Sequence, residues 1–72
     1  GGKMANVKVM SHHTGGQVRD MEGTTPGELA QQMDLTLSGT VIYVDESEAK
    51  ASQQLTDGQV VSFQRSKVAS GK

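Results

Sequence analysis

Two adjacent histidines, His12 and His13, are the residues of this 72-residue sequence best suited to metal binding or proton transfer. Imidazole is a common transition-metal ligand, and Ser11 beside them could supply a nucleophile for a histidine base. Adjacent residues of an extended segment point in opposite directions, however, and no acidic residue lies nearby in sequence to complete a site or orient a base. We therefore predict no metal site and no catalytic residue here, and expect both histidines to be solvated at a loop tip.

Three carboxylates, those of Asp45, Glu46 and Glu48, follow the apolar run GTVIYV. Carboxylates on a turn can bind calcium weakly, but acidic side chains solvated at the end of a strand are the simpler interpretation. The sequence contains no cysteine, which excludes disulfides, thiolate zinc sites and cysteine nucleophiles. We expect no cofactor, and a protein that is not itself an enzyme.

The charges are few but unevenly placed. The net charge of −1 provides no general attraction to nucleic acid, and an RNA-binding surface would need basic residues with stacking aromatics, for which Tyr43 is the only outward candidate. Lys8 lies near one end of the chain, and Arg65 and Lys67 near the other. A fold that pairs the first and last strands would bring these three residues together as a basic strip. We interpret this strip either as a solvated edge or as a surface for an acidic partner.

The length of the chain suits one small domain. We expect residues 1–3 to be the remnant of an expression tag, residues 4–66 to form the domain and residues 67–72 to be a flexible C-terminal tail. No apolar run approaches the ~18 residues of a membrane helix, and no secretory signal is recognisable. The expectation is a cytoplasmic protein, monomeric or weakly self-associating.

The first half of the sequence predicts a hairpin and a short helix. NVKVMS alternates, with Val7 and Val9 on one face, and a glycine-containing loop returns the chain through QVRDME. In that second run we expect Val18 to face the core. Met21 is out of phase with it, which predicts either a bulge or a strand that ends near Asp20.

The motif GTTPGEL then predicts the start of a helix. Thr25 suits the N-cap, Pro26 the first helical position, and Glu28 closes a capping box three residues after the threonine. The apolar pattern ends after about two turns, so this helix needs tertiary packing to be stable.

The second half predicts two further strands. In GTVIYVD, Ile42 and Val44 share one face and Val41 and Tyr43 the other. EAKASQQL is interpreted as a loop with one helical turn. TDGQVVSF then places a tight turn at Asp57–Gly58 and a last strand with Val61 and Phe63 facing inward.

This order of elements and four local motifs resemble the ubiquitin-like β-grasp family, and most closely the sulfur-carrier proteins of thiamin and molybdopterin synthesis (the ThiS/MoaD type). The motifs are EGTTPGEL, VIYVDES, LTDGQVV and KVASG. Together they predict an α+β fold: a mixed sheet of four to five strands, with one short helix across one face and the last strand parallel beside the first.

Two functions are consistent with this resemblance. The first is a protein-interaction module that binds its partner through the sheet face opposite the helix, where we expect Met10, Val41, Tyr43 and Val60, unless these side chains are too scattered to form a patch.

The second function is that of a sulfur carrier or protein modifier. The resemblance implies a C-terminal carboxylate that an E1-like adenylating enzyme activates. In this sequence Ala69, Ser70 and Gly71 would form the conjugation tail after removal of Lys72. The alternative is a chain terminus without chemistry.

Overall fold

The computed structural model describes residues 4–11, 15 and 17–65. Five strands and one helix follow one another as β1 (Ala5–Ser11), β2 (Arg19–Gly23), α1 (Pro26–Gln32), β3 (Thr40–Val44), β4 (Ser47–Ala49) and β5 (Val60–Arg65). The strands form one sheet in the order β2-β1-β5-β3-β4. Strand β5 pairs in parallel with β1 and antiparallel with β3, while β2 and β4 form the two edges. The predicted α+β architecture, with parallel first and last strands, is confirmed.

The core lies between the sheet and α1. Its side chains come from alternate positions of the central strands, as period-two patterning requires, and from the buried face of the helix. Phe63, Leu29 and Val61 are completely buried. Leu35 and Leu55, from the segments between these elements, complete the core of the described residues. Its buried apolar members there are Ala5, Val7, Val9, Leu29, Ala30, Leu35, Ile42, Val44, Leu55, Val61 and Phe63.

The helix begins where its capping motif predicts. The Glu28 N–H donates to Thr25 Oγ1 at 3.2 Å, and Pro26 occupies the first turn. The segment after β4 holds this end of the helix in place, because the Gly27 N–H donates to the Ala51 carbonyl and the Leu55 N–H to the Thr24 carbonyl. A helix of seven residues therefore depends on contacts with its surroundings.

The carboxylate of Glu28 closes the cap one residue earlier than the standard box. It accepts hydrogen bonds from the Thr24 backbone N–H at 2.6 Å and from the Thr24 hydroxyl at 2.8 Å. The backbone bond is the larger and the hydroxyl bond the smaller cause that holds the pKa of the Glu28 carboxyl below its usual value. Both bonds stabilise the charged form of the side chain.

This cap makes stability depend on pH. Because the pKa of Glu28 is lowered in the folded state from an ordinary value of 4.5, its contribution is present above that value and is lost as the pH falls through the folded pKa. We expect Glu28→Gln to flatten the fall in urea-unfolding free energy as the pH is lowered below about 5. Gln31→Ala, on the exposed side of the same helix, should keep the parent slope. An unchanged slope in Glu28→Gln would contradict this account.

Gly23, the last residue of β2, allows the helix to pack closely on the sheet. A Cβ atom at this position would lie 2.8 Å from Leu29 Cδ2, closer than carbon atoms approach. Leu29 is fully buried and cannot move aside without disturbing the core. The absence of a side chain at Gly23 is therefore a packing requirement.

Three sequence predictions are wrong in detail. Val18 lies before β2 and is 54% exposed, whereas Met21 pairs with Val7 and packs against the core. The ladder continues without a bulge to Gly23, because the phase of the strand is set by its pairing with β1. The segment interpreted as a loop with a helical turn contains β4, which pairs with β3.

Candidate partner-binding surface

Alternate side chains of the three central strands point away from α1 and form the second face of the sheet, here called the open face. Along one row, Met10 of β1, Ser62 of β5 and Tyr43 of β3 are direct cross-strand neighbours. Met10 and Tyr43 are half-buried, while Ser62 between them is only 9% exposed. A small residue on the central strand thus lies between two large ones.

This size difference creates a depression on the open face. Its volume is about 610 Å³, within the range of roughly 300–1,000 Å³ typical of ligand sites. Ser62 lies between the side chains of Met10 and Tyr43, and Val60, 38% exposed, precedes it by two positions on β5. The lining residues are Met10, Tyr43, Asp45, Glu46, Val60, Ser62 and Gln64.

A two-residue turn between β3 and β4 contributes the acidic end of the depression. Asp45 and Glu46 have φ angles of 51° and 73°, the left-handed conformation that both central residues of a type I′ hairpin adopt. Asp45 is anchored to β5: its N–H donates to the Val60 carbonyl at 2.8 Å, and its Oδ1 accepts from the Val60 N–H at 3.0 Å. The turn is therefore tied to the strand that lies along the depression.

Left-handed backbone is unfavourable for glutamate, which predicts the effect of one substitution. Glu46→Gly should remove about 1–2 kcal/mol of strain and cost about 0.5–1 kcal/mol through the greater freedom of the unfolded chain. We expect a net stabilisation of up to about 1.5 kcal/mol, measured by urea unfolding. Glu48→Gly, inside β4, is the matched control and should destabilise the protein. A loss of stability in Glu46→Gly as large as in the control would refute the assigned turn.

Comparison with known structures identifies the architecture. The chain superposes on a ubiquitin of Caldiarchaeum subterraneum with a TM-score of 0.61 and 15% sequence identity, over 93% of this chain and 99% of that one. The fold is the ubiquitin-like β-grasp. No family model matches the sequence, and no curated protein matches it.

On the β-grasp sheet, three of the four apolar side chains predicted for the partner-binding face come together. Met10, Tyr43 and Val60 line the depression. Val41 lies on the same face, half-buried and paired with Gln64, but outside the lining. Ser62 and Gln64 are missing from the predicted set, although they follow Val60 by two and four residues and strand periodicity alone assigns them to this face.

The predicted basic strip does not form among the described residues. Lys8 donates to Asp20 across the sheet at 2.6 Å, so its charge is offset by its neighbour on β2. Arg65 is in phase with Phe63, which places it on the helix side of the sheet, opposite to Lys8. The two residues are also separated along β5, since Lys8 pairs with Val60. Lys67 lies outside the described residues.

The residues considered for chemistry are not gathered into a site in the described part of the chain. Ser11 is 2% exposed on the helix side of β1, so its hydroxyl is not presented to solvent. No group of three or more His, Asp or Glu side chains suited to a metal ion occurs among residues 4–11, 15 and 17–65. The two histidines and the predicted tail of Ala69, Ser70 and Gly71 fall outside those residues.

No helix in the described ranges is long and apolar enough to cross a membrane.

Proposed function

We propose that this protein is a small ubiquitin-like interaction module, without catalytic activity of its own, that binds a protein partner through the open face. One observation carries the proposal: Met10, Tyr43 and Val60 surround a depression over the small residue Ser62. Half-exposed apolar side chains around a concavity are the usual centre of a protein interface. A partner side chain placed there would bury these residues further.

The depression is part of a rigid surface. Its strands are the central ones, each hydrogen-bonded on both sides, and the opposite faces of β1, β3 and β5 are packed into the core. The Ser62 hydroxyl accepts from Gln64 Nε2 at 3.1 Å, and the Asp45 carboxylate holds the start of β5. A preorganised surface of this kind loses little conformational entropy on binding.

A peptide selection tests the proposal. A random peptide library displayed on phage is selected against the immobilised protein, and the enriched peptides are synthesised and measured by calorimetry against two variants. Ser62→Val fills the depression with a residue that strands accept readily. Gln31→Ala changes an exposed helix position and is the control.

We expect enriched peptides to bind the parent and Gln31→Ala equally and Ser62→Val at least about tenfold more weakly. Peptides that bind all three proteins alike would show that the open face is not the binding surface.

A second candidate function is that of a sulfur carrier or protein modifier, which the fold also supports. The chain continues for seven residues beyond β5, with Gly71 followed by Lys72. Incubation with ATP and an E1-like adenylating enzyme, followed by intact-mass measurement, should then yield a Gly71 adenylate only for the protein lacking Lys72. If neither form is ever adenylated, this candidate is excluded.

A further inference from the structure

The rim of the depression carries negative charge on one side. Asp45 and Glu46 line its end at the β3–β4 turn. Glu48 of β4 is the cross-strand neighbour of Tyr43, so its side chain lies on the same face beside that ring. All three residues are exposed.

These carboxylates are not neutralised by the described part of the chain. No lysine or arginine nitrogen of those residues lies within 4 Å of Asp45, Glu46 or Glu48; the one ion pair there joins Lys8 to Asp20. Lys8 is the cross-strand neighbour of Val60 on β1, so β5 separates it from the turn, and it does not line the depression. Its ammonium group points to Asp20 on β2, away from the acidic rim.

From this charge distribution we infer that the partner segment carries an apolar side chain, seated over Ser62 between Met10 and Tyr43, next to a lysine or arginine that pairs with Glu46 or Glu48. The inference rests on the proposed binding role of the open face and specifies the chemistry of the partner. An acidic segment would meet uncompensated like charge at the rim. A purely apolar one would leave the rim charges without a counterion from the partner.

Glu46 and Glu48 are the appropriate residues to change, because neither side chain forms a hydrogen bond within the described part of the chain. Asp45 is unsuitable, since its carboxylate binds the Val60 N–H. Exposed charges at an interface rim act mainly through association rate and salt dependence. Each neutralisation should therefore have a modest effect, and the two together a clear one.

The test uses the phage-selected peptides whose binding is lost in Ser62→Val. We expect these sequences to contain lysine or arginine within about two positions of an apolar residue. Their affinity should fall about two- to fivefold in Glu46→Gln or Glu48→Gln and about tenfold in the double variant. Glu22→Gln, the same charge change on β2 at the other side of the sheet, is the matched control and should bind as the parent does.

Salt dependence is a second measurement of the same charges. Raising NaCl from about 50 to about 300 mM should weaken peptide binding to the parent and leave binding to the double variant nearly unchanged.

The outcomes separate the inference from the proposed function. Some peptides that lose binding in Ser62→Val could be neutral or acidic, or could bind the double variant as tightly as the parent. Either result would overturn the inferred basic residue of the partner and leave the open face as the binding surface. Peptides that bind Ser62→Val as tightly as the parent, or a selection that enriches no peptide, would overturn both the inference and the proposed function.

Two further results would also overturn the inference. One is a concentration-dependent shift of the Tyr43 and Ser62 amide resonances, which would assign the face to a second copy of this chain. The other is a shift of the same resonances on deletion of residues 66–72, which would assign it to the chain's own C-terminal segment.

Discussion

Phe63→Ala is expected to remove a large part of the stability of this domain. Phe63 is completely buried on the central strand β5, with Ser11 of β1 and Ile42 of β3 as its cross-strand neighbours. Truncation of a buried phenylalanine costs about 3–5 kcal/mol through lost transfer energy and the cavity that remains. A domain of this size has a total stability of roughly 4–11 kcal/mol at the usual 0.05–0.15 kcal/mol per residue. Urea unfolding followed by circular dichroism should show a much lower midpoint or no folded baseline.

Val18→Ala is the matched control for this substitution. Val18 is apolar but 54% exposed and lies outside the strands, so its truncation should change stability by less than about 0.5 kcal/mol. If Phe63→Ala cost no more than Val18→Ala, the assigned core would be wrong. The comparison also tests the finding that Val18 lies outside the core.

Tyr43→Ala is expected to weaken partner binding about 30-fold or more while the protein stays folded. The ring is half-buried on the open face and borders the depression, with Ser62 and Glu48 as cross-strand neighbours. Tyrosines at the centre of an interface are frequent hot spots, whose loss costs about 2 kcal/mol or more, equivalent to an affinity about 30-fold lower. Calorimetry with a selected peptide measures the affinity, and circular dichroism confirms the fold.

Gln31→Ala serves as the control for Tyr43→Ala, because Gln31 is exposed on α1, which packs on the opposite face of the sheet. It should leave affinity unchanged. Equal affinity for the parent and for a folded Tyr43→Ala protein would remove the central residue from the proposed surface.

Much of the fold can be predicted from local sequence signals that agree with tertiary structure. The capping residues Thr25, Pro26 and Glu28 predict the helix start because a cap is made within a few residues of chain. The positions of Val41, Ile42, Tyr43 and Val44 predict both faces of β3, because successive side chains of a strand point to opposite faces. The parallel pairing of β1 with β5 follows once the hairpin, the helix and the last strand are placed.

The errors occur where a long-range contact decides between local alternatives. Val18 and Met21 define opposite phases of one strand, and only pairing with β1 selects the phase of Met21. Asp45–Glu46 lacks the glycine that usually marks a type I′ turn, so the hairpin leading to β4 carries no local signal. Its conformation is supported by hydrogen bonds between Asp45 and Val60, fifteen residues away.

The candidate site also has features that local sequence predicts and features that depend on long-range strand pairing. Strand periodicity predicts that Met10, Tyr43 and Val60 share a face, and the structure places them around one depression. Periodicity does not predict the depression itself, because the depression depends on the register that places Ser62 between Met10 and Tyr43. Nor does it predict the acidic rim, because Glu48 reaches Tyr43 only through the pairing of β4 with β3.

An NMR cross-saturation experiment tests the central claim most directly. The deuterated, ¹⁵N-labelled protein is bound to an unlabelled selected peptide, and saturation transferred from the peptide identifies the amides in contact with it. We predict that the strongest transfer falls on Met10, Tyr43 and Ser62, with none on the helix positions Gln31 and Gln32. Strong transfer to α1, with the open face unaffected, would contradict the account.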